Sequence, residues 1–288
     1  MANLGIVGYG YVGKAVEFGF KDKNNIFIHD KYLPSLPLAE IVNKSDFIFV
    51  AVPTPMTAKY TKIDISIVDE VFKNIVALAK KQKREPIIVI KSTVVPGSTK
   101  KLAKKYNWPK TLFNPEFLTE ANFLQDFVNA DRVIVGGEDT KINGLLTALY
   151  KDSLPNVPVM ETDSTSAEMV KYMANTYLAT KVIFGYQMYD LCQALGIDYD
   201  GVKLMTVADK RIGATHLNVS SKDTANSNTT DRRGFGGKCF PKDTVALLGL
   251  AKELGVSLSV LESAWKHNLA IRKVRDWEDI PGAVSKKS

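Results

Sequence analysis

Short apolar runs alternate with amphipathic stretches through the first half of the chain. Leu4-Gly5-Ile6-Val7, Ile26-Phe27-Ile28, Phe47-Ile48-Phe49-Val50-Ala51-Val52, Ile87-Ile88-Val89-Ile90 and Arg132-Val133-Ile134-Val135 are apolar at nearly every position. A strand reads this way when both of its faces are buried, because successive side chains point to opposite faces. Segments of helical period, such as residues 67–81, lie between several of them. The pattern predicts an α/β fold: a Rossmann-type, doubly wound parallel sheet with helices on both faces.

After residue 163 the pattern changes. Thr165-Ser166-Ala167-Glu168 spells a capping box, and no Pro or Gly follows until Gly185. Continued to Gly196, this is a helix of roughly 30 residues, about 45 Å long. Met169, Met173, Tyr177, Val182, Phe184, Met188 and Leu191 recur along it, so it is expected to be buried, a second copy of the chain being one candidate partner. Residues 212–233 are polar and read as a mobile loop. Helices follow at 243–254 and 259–274, the second with another capping-box spelling, Ser259 to Glu262, and residues 281–288 read as a frayed tail. The expected organisation is a dinucleotide-binding domain over 1–162, an all-helical domain with a long central helix over 163–278, and a tail over 279–288.

Composition agrees with two domains. The chain has 288 residues, 45% hydrophobic and 24% charged, and about 150 residues per domain is the usual allowance. Its two cysteines, Cys192 and Cys239, form no C-x-x-C pair and no Cys/His cluster, which argues against a structural zinc site and for a reducing, cytoplasmic setting. The N-terminus does not read as a signal peptide, and no apolar run reaches the roughly 18 residues of a membrane span. A net charge of +7 favours anionic partners. The lysines at 80–83 and 100–105 have the spacing of solvated helix faces, and no aromatic residues alternate with them as a base-stacking platform requires. Nucleic acid and membrane are therefore not expected partners.

Gly8-Tyr9-Gly10-Tyr11-Val12-Gly13 directly follows the first strand and opens a helix. In such a fingerprint the first glycine makes the tight turn, the second admits a pyrophosphate to the backbone, and the third lets helix and strand pack closely. The helix N-terminus then offers N–H groups to the phosphates. Asp30 ends the second strand, 22 residues after Gly8, where a carboxylate would hold a ribose 2′-hydroxyl. A nicotinamide or flavin dinucleotide site is expected. The carboxylate favours NAD over NADP, with Lys31 beside it acting in the opposite sense.

Further candidate chemistry lies downstream. In Asn114-Pro115-Glu116-Phe117-Leu118-Thr119-Glu120 two carboxylates stand four apart, on one face if the segment is helical. Lys171 and Asn175 are likewise four apart on the long helix. Gly234-Phe235-Gly236-Gly237-Lys238-Cys239-Phe240-Pro241-Lys242-Asp243 places Cys239 near a helix N-terminus between two lysines, conditions that lower a thiol pKa and suit a nucleophile. Cys192, in an apolar helix face, reads as inert core.

These motifs together resemble the UDP-glucose/GDP-mannose 6-dehydrogenase family. Val52-Pro53-Thr54-Pro55, Asp64-Ile65-Ser66, Lys91-Ser92-Thr93-Val94-Val95-Pro96-Gly97, the Pro-Glu-Phe-Leu run, Asp131-Arg132-Val133, residues 168–175, Asp209-Lys210-Arg211-Ile212-Gly213 and the cysteine motif stand in family order, over about residues 3–275. The resemblance implies oxidation of the C6 alcohol of a nucleotide sugar, UDP-glucose first, by two NAD, and the long helix is where a homodimer is expected to form. Cys239 would form a thiohemiacetal and then a thioester, which water cleaves. Lys171 and Asn175 would stabilise oxyanions. Asp243 with Thr93, and Glu116 or Glu120, would serve as base or water-positioning groups. Gly8, Gly10, Tyr11, Val12, Gly13, Asp30, Thr54, Thr93, Glu120 and Lys242 would hold the cofactor. Phe117, Leu118, Thr119, Glu120, Lys171, Asn175, Arg211 and Gly236 would contact the substrate.

The sequence departs from the family at Thr119, usually Arg, at Ala121, usually Gly, and in a longer segment between Gly213 and Gly234 that lacks the usual Pro-Gly element. A third, nucleotide-binding domain is expected of the family and is not in these 288 residues. GDP-mannose or a UDP-N-acetylhexosamine is the alternative substrate. A dinucleotide-binding relic without catalysis is the alternative class, and a single-hydride hydroxyacid dehydrogenase, which needs no cysteine, a third reading.

Overall fold

A computed structural model describes residues 1–219 and 232–285. The chain divides into two compact units, one of residues 1–54 with 64–171, the other of 55–63 with the described residues from 172 onward.

The first unit is built on a seven-stranded sheet of order β2-β1-β3-β4-β5-β6-β7. Its strands are β1 (Asn3–Val7), β2 (Asn25–His29), β3 (Phe47–Val50), β4 (Ile87–Ile90), β5 (Thr111–Phe113), β6 (Val133–Gly136) and β7 (Val159–Thr162). The pairs from β2 to β5 are parallel, in register at Ile6↔Ile28, Ile6↔Phe49 and Phe49↔Val89. β6 meets β5 antiparallel through one pair, Phe113↔Gly136, and β7 runs parallel to β6. The last two strands thus reverse the all-parallel expectation. β5 and β7 escaped the hydrophobic pattern because one has three residues and the other is an edge strand exposing Met160 and Glu161.

Alternation along the buried strands makes two cores. Leu4, Ile6, Phe47, Phe49 and Val89 face one side with Phe20, Phe127 and Tyr150, while Val7, Ile48, Val50, Ile88 and Ile90 face the other with Phe72, Ile75 and Leu102. The helices supplying these covers include α1 (Tyr11–Phe20), α2 (Leu38–Lys44), α3 (Ser66–Gln82), α4 (Ser98–Tyr106), α5 (Phe123–Val128) and α6 (Thr140–Ser153). β1 neighbours both β2 and β3, so the chain leaves it in opposite directions. The crevice at the carboxyl ends of β1 and β3 is the switch point where ligands bind in such sheets.

Helix α7 (Ser164–Leu195) runs without a break through the boundary between the units. Its capping differs from the sequence expectation. Asp163 accepts from the Ser166 amide at 2.9 Å, whereas Glu168 does not turn back to the helix start. Glu168 is fully buried and caps α4 instead, accepting from the Gly97 amide at 2.5 Å, the Thr99 amide at 2.8 Å and the Thr99 hydroxyl at 2.6 Å. The second capping box is also absent: Leu258 is the N-cap of α10 (Ser259–Ile271), without a side-chain bond.

The second unit is helical among its described residues, with α8 (Tyr199–Val207), α9 (Cys239–Glu253) and α10. Its core joins Met56, Ile183, Phe235, Trp265 and Trp277, the aromatic rings lying 6.0 Å (Phe235–Trp265) and 5.8 Å (Trp265–Trp277) apart. Two expectations are corrected here. The tail is packed as far as Ser285: Ala283 is fully buried, and its carbonyl accepts from Met56 at 2.8 Å. The polar segment begins in ordered contact, with Leu217 and Val219 buried and the Leu217 carbonyl accepting from Tyr199 at 2.8 Å; residues 220–231 of that expected loop, and 286–288 of the tail, lie outside the described residues.

Of the long helix's residues expected to be buried, Val182 packs on the helical core and Met188 beside Cys192. Met169, Met173, Tyr177, Phe184 and Leu191 are exposed, while Glu168, Lys171, Asn175 and Thr176 are buried. The buried side is mixed, with Ala167, Tyr172, Ala179, Ile183 and Cys192 lying beside those polar groups.

Candidate active site

The turn after β1 is shaped by three glycines with three different duties. A Cβ on Gly8, at φ 94°, would lie 2.4 Å from the Ala51 carbonyl, and one on Gly13 would lie 2.2 Å from the Gly8 carbonyl. A Cβ on Gly10 would meet nothing within 4 Å. Gly10 is the N-cap of α1 and brings no side-chain bond to the helix start, so the open space lies where backbone N–H groups and the positive helix end are. These residues fit a dinucleotide pyrophosphate. Asp30, at the tip of β2, accepts from the Tyr9 and Tyr32 amides, each at 2.8 Å. Its partial burial would raise its pKa, but these donors and the Leu33 amide outweigh that and hold it below the usual carboxylate value. Tyr11 is exposed against Phe123, rings 5.1 Å apart, and Val12 is half-buried. Thr54 and Thr93, beyond β3 and β4, are buried.

A buried ion pair forms the second cluster in the sheet unit. Lys171 Nζ lies 2.9 Å from a Glu116 carboxylate oxygen and 2.5 Å from the Glu116 carbonyl. The segment 114–119 is irregular, not helical, so the helical spacing of the two glutamates does not put them on one face. The Glu116 side chain is nearly out of solvent on Lys171, and Glu120 is exposed in a turn. Phe117 lies between two cations, its ring centre 4.4 Å from the Arg132 guanidinium and 5.5 Å from Lys171 Nζ. The Leu118 amide donates to Glu116 at 2.9 Å, and Thr119 donates to Asp126 through its amide at 2.7 Å. A cavity of about 210 Å³ adjoins the cluster.

Sequence reasoning did not single out Lys91, Asn114 and Tyr150 as a unit. Lys91 ends β4's apolar run yet stays buried, donating to Asn114 Oδ1 at 2.7 Å, which also accepts from Tyr150 at 2.5 Å. Burial pushes the Lys91 pKa down to about 7; Glu116 acts against that shift and Lys171 with it. The available signal was a lysine continuing a wholly buried strand.

In the helical unit Cys239 is the first residue of α9, half-buried, with Lys238 as N-cap. The helix starts four residues earlier than expected and takes Pro241 into its first turn, where the missing N–H costs nothing. Asn175 donates to Asp243 Oδ2 at 2.6 Å, and Lys242 to Asp243 Oδ1 at 2.5 Å, all three buried. Lys242, expected toward the cofactor, therefore has its ammonium on Asp243. Gly236, expected to line a sugar pocket, has its Cβ side filled by Arg272, 2.1 Å from where that atom would sit. Arg211 is exposed and paired with Asp209 at 2.5 Å. Cys192 is buried beside Tyr199 and Val219.

Among the described residues no group of three His, Cys, Asp or Glu could hold a metal, and no helix is long and apolar enough to cross a membrane. Residues 27–154 match the NAD binding domain of the UDP-glucose/GDP-mannose dehydrogenase family, and residues 165–270 match its central domain. The chain is 33% identical over 233 residues to the UDP-glucose 6-dehydrogenase YwqF of Bacillus subtilis, covering 78% of this chain and 49% of that protein. It is also 33% identical over 260 residues to UDP-glucose 6-dehydrogenase TuaD of the same organism, covering 88% and 51%. The chain thus spans about half the length of the curated relatives it matches. Among solved structures, a UDP-glucose dehydrogenase from the archaeon Pyrobaculum islandicum superposes with a TM-score of 0.83 at 27% identity, over 94% of this chain and 68% of that one. With the glycine turn, the seven-stranded sheet and both domain matches in sequence order, the chain belongs to the UDP-glucose/GDP-mannose dehydrogenase family.

Proposed function

We propose that this chain oxidises the C6 hydroxyl of a nucleotide sugar, UDP-glucose first, to the carboxylate of the uronate. NAD, when bound, supplies the hydride acceptor and is used twice per sugar. The alcohol loses a proton and a hydride to become an aldehyde. The Cys239 sulfur then adds to the aldehyde carbon, giving a thiohemiacetal. Loss of a second hydride from that carbon and of the hydroxyl proton leaves a thioester, and water breaks the C–S bond to return the thiol and release the acid. The observation that carries this reading is Cys239 at the start of α9, half-exposed, beside Lys238 and one turn before the buried Asp243. A helix N-terminus stabilises the thiolate.

Gly8, Gly10, Tyr11, Val12, Gly13, Asp30, Thr54 and Thr93 are assigned to the cofactor. The charged groups divide the proton and oxyanion work. Lys171 and Asn175 stabilise negative charge developing on the substrate oxygen, and Glu116 and Asp243 keep those donors aimed. Thr93 and Glu120 are assigned to the water and proton steps. Phe117, Leu118 and Thr119 are assigned to the sugar.

The exposed apolar stripe of α7 supports a homodimer. Met173, Tyr177, Phe184, Leu191 and Leu195 stand at i, i+4, i+11, i+18 and i+22, one side of a helix, and all are more than half exposed. NADH formation with a panel of nucleotide sugars tests the activity. Two NADH per sugar, abolished or stalled in Cys239→Ser, is the expected result. A UDP-N-acetylhexosamine or GDP-mannose as the one sugar turned over would reassign the substrate. NAD binding without turnover of any sugar would favour a binding module.

A further inference from the structure

The loop that delivers Cys239 is held from outside by three side chains spaced four residues apart. Asn268 accepts from the Phe235 amide at 2.8 Å and donates to the Phe235 carbonyl at 3.1 Å, pairing with that residue as a strand neighbour would. Arg272, the C-cap of α10, donates to the Arg232 carbonyl at 2.7 Å and the Arg233 carbonyl at 3.2 Å. It also pairs with Asp276 at 3.0 Å, whose other oxygen accepts from the Gly237 amide at 3.1 Å. Asn268 is fully buried and Arg272 nearly so.

The loop composition fits these three side chains. A Cβ on Gly234 would lie 2.2 Å from Asn268 Oδ1, and Gly236 is closed by Arg272 as described above. Two of the motif's glycines are therefore required by the clamp, at positions where a ligand is not needed to explain them. Every main-chain group bonded by the clamp lies between Arg232 and Gly237, and Cys239 follows two residues later as the first residue of α9. The loop has no ladder of its own here, so these bonds hold its backbone, together with the Arg233–Asp190 pair and the Phe235 ring seated in the core.

We infer that Asn268, Arg272 and Asp276 form a positioning clamp that fixes the Cys239 thiol at the N-terminus of α9. This rests on the reading of Cys239 as the nucleophile. The clamp residues act through the loop backbone and touch no reacting atom. With the clamp loosened, the first turn of α9 frays and the thiolate loses the N–H groups and dipole that stabilise it.

The test is native-state alkylation of the 288-residue chain by iodoacetamide across pH, with the Cys239 and Cys192 peptides quantified by mass spectrometry. Wild type, Asp276→Asn and Arg272→Lys are compared. Asp276 is the member nearest the surface and Arg272→Lys keeps the charge, so both variants retain the core. We expect the wild-type Cys239 midpoint below that of an ordinary thiol, about 8.5. Both variants should move it toward that value and slow alkylation at pH 7 by about 3-fold or more, with Cys192 as protected as in wild type. A lowered wild-type midpoint that neither variant moves would overturn the clamp and leave the nucleophile standing. Cys192 becoming reactive together with Cys239 would also overturn it, because the effect would be general loosening. A wild-type midpoint already at the ordinary value would remove the nucleophile reading and the clamp with it.

Discussion

Lys171 grips Glu116 twice, at its carboxylate, 2.9 Å away, and at its own carbonyl, 2.5 Å away, and both side chains are nearly out of solvent. The ammonium is aimed by one residue of an otherwise irregular segment. A buried ion stripped of its counter-ion is costly even where the intact pair contributes little. Glu116→Gln should therefore lower stability by about 3 kcal/mol or more. The double variant Glu116→Leu with Lys171→Met should recover most of that while abolishing turnover. Urea unfolding of the three proteins checks this, and a loss under about 1 kcal/mol in the single variant would contradict the pairing.

Two buried groups give stability a pH dependence of opposite sign. Burial pushes the Glu168 pKa up to about 7, although the amides and hydroxyl at the start of α4 pull the other way. The folded chain then holds a proton that the unfolded chain releases near pH 4.5, so this group makes stability fall as pH rises from about 4.5 to about 7. Lys91 is the reverse. With its pKa lowered from 10.5 to about 7, the unfolded chain holds the extra proton, and stability rises from about pH 7 toward 10. Each slope is at most about 1.4 kcal/mol per pH unit. Denaturant unfolding from pH 5 to 10 should show the falling limb flattened in Glu168→Gln and the rising limb flattened in Lys91→Met.

Two of the fingerprint glycines, Gly10 and Gly13, should separate by what they disturb. Gly10 has an ordinary φ of −78° and open space around it, so Gly10→Ala should leave the melting temperature within about 2 °C of wild type. Calorimetry should show its NAD affinity reduced about 10-fold, because the methyl occupies the pyrophosphate's approach. Gly13→Ala pushes a methyl into the Gly8 carbonyl and should destabilise the fold itself. Equal NAD affinity in Gly10→Ala and wild type would argue against a cofactor at this turn.

The outward apolar stripe of α7 makes association testable without activity. Sedimentation of the wild-type chain should give a dimer. Met173→Glu with Phe184→Glu should give a folded monomer, since both side chains are more than half exposed and support no core. A wild-type monomer at high micromolar concentration would contradict the homodimer.

Residues near in sequence determined much of this protein unaided. Leu4 through Val7 and Ile87 through Ile90 are apolar at almost every position because both faces of those strands are covered, and the first glycine turn follows β1 by chain continuity. Lys238 and Cys239 reach a helix start for the same local reason. Tertiary structure decided what depends on distant partners. Glu168 looked like a cap for its own helix, yet it binds Gly97 and Thr99, 71 and 69 residues away, because that helix start offered unsatisfied amides inside the core. Glu116 and Glu120 matched a helical spacing but parted, since Lys171 draws only Glu116 inward. Met173, Tyr177 and Phe184 of α7 face outward, while Tyr172 and Ile183 share the buried side with Glu168, Lys171 and Asn175, whose charges and amides find partners only within the folded chain. Hydrophobic period tells which side chains avoid water, and only the packed partners tell which side of a helix that is.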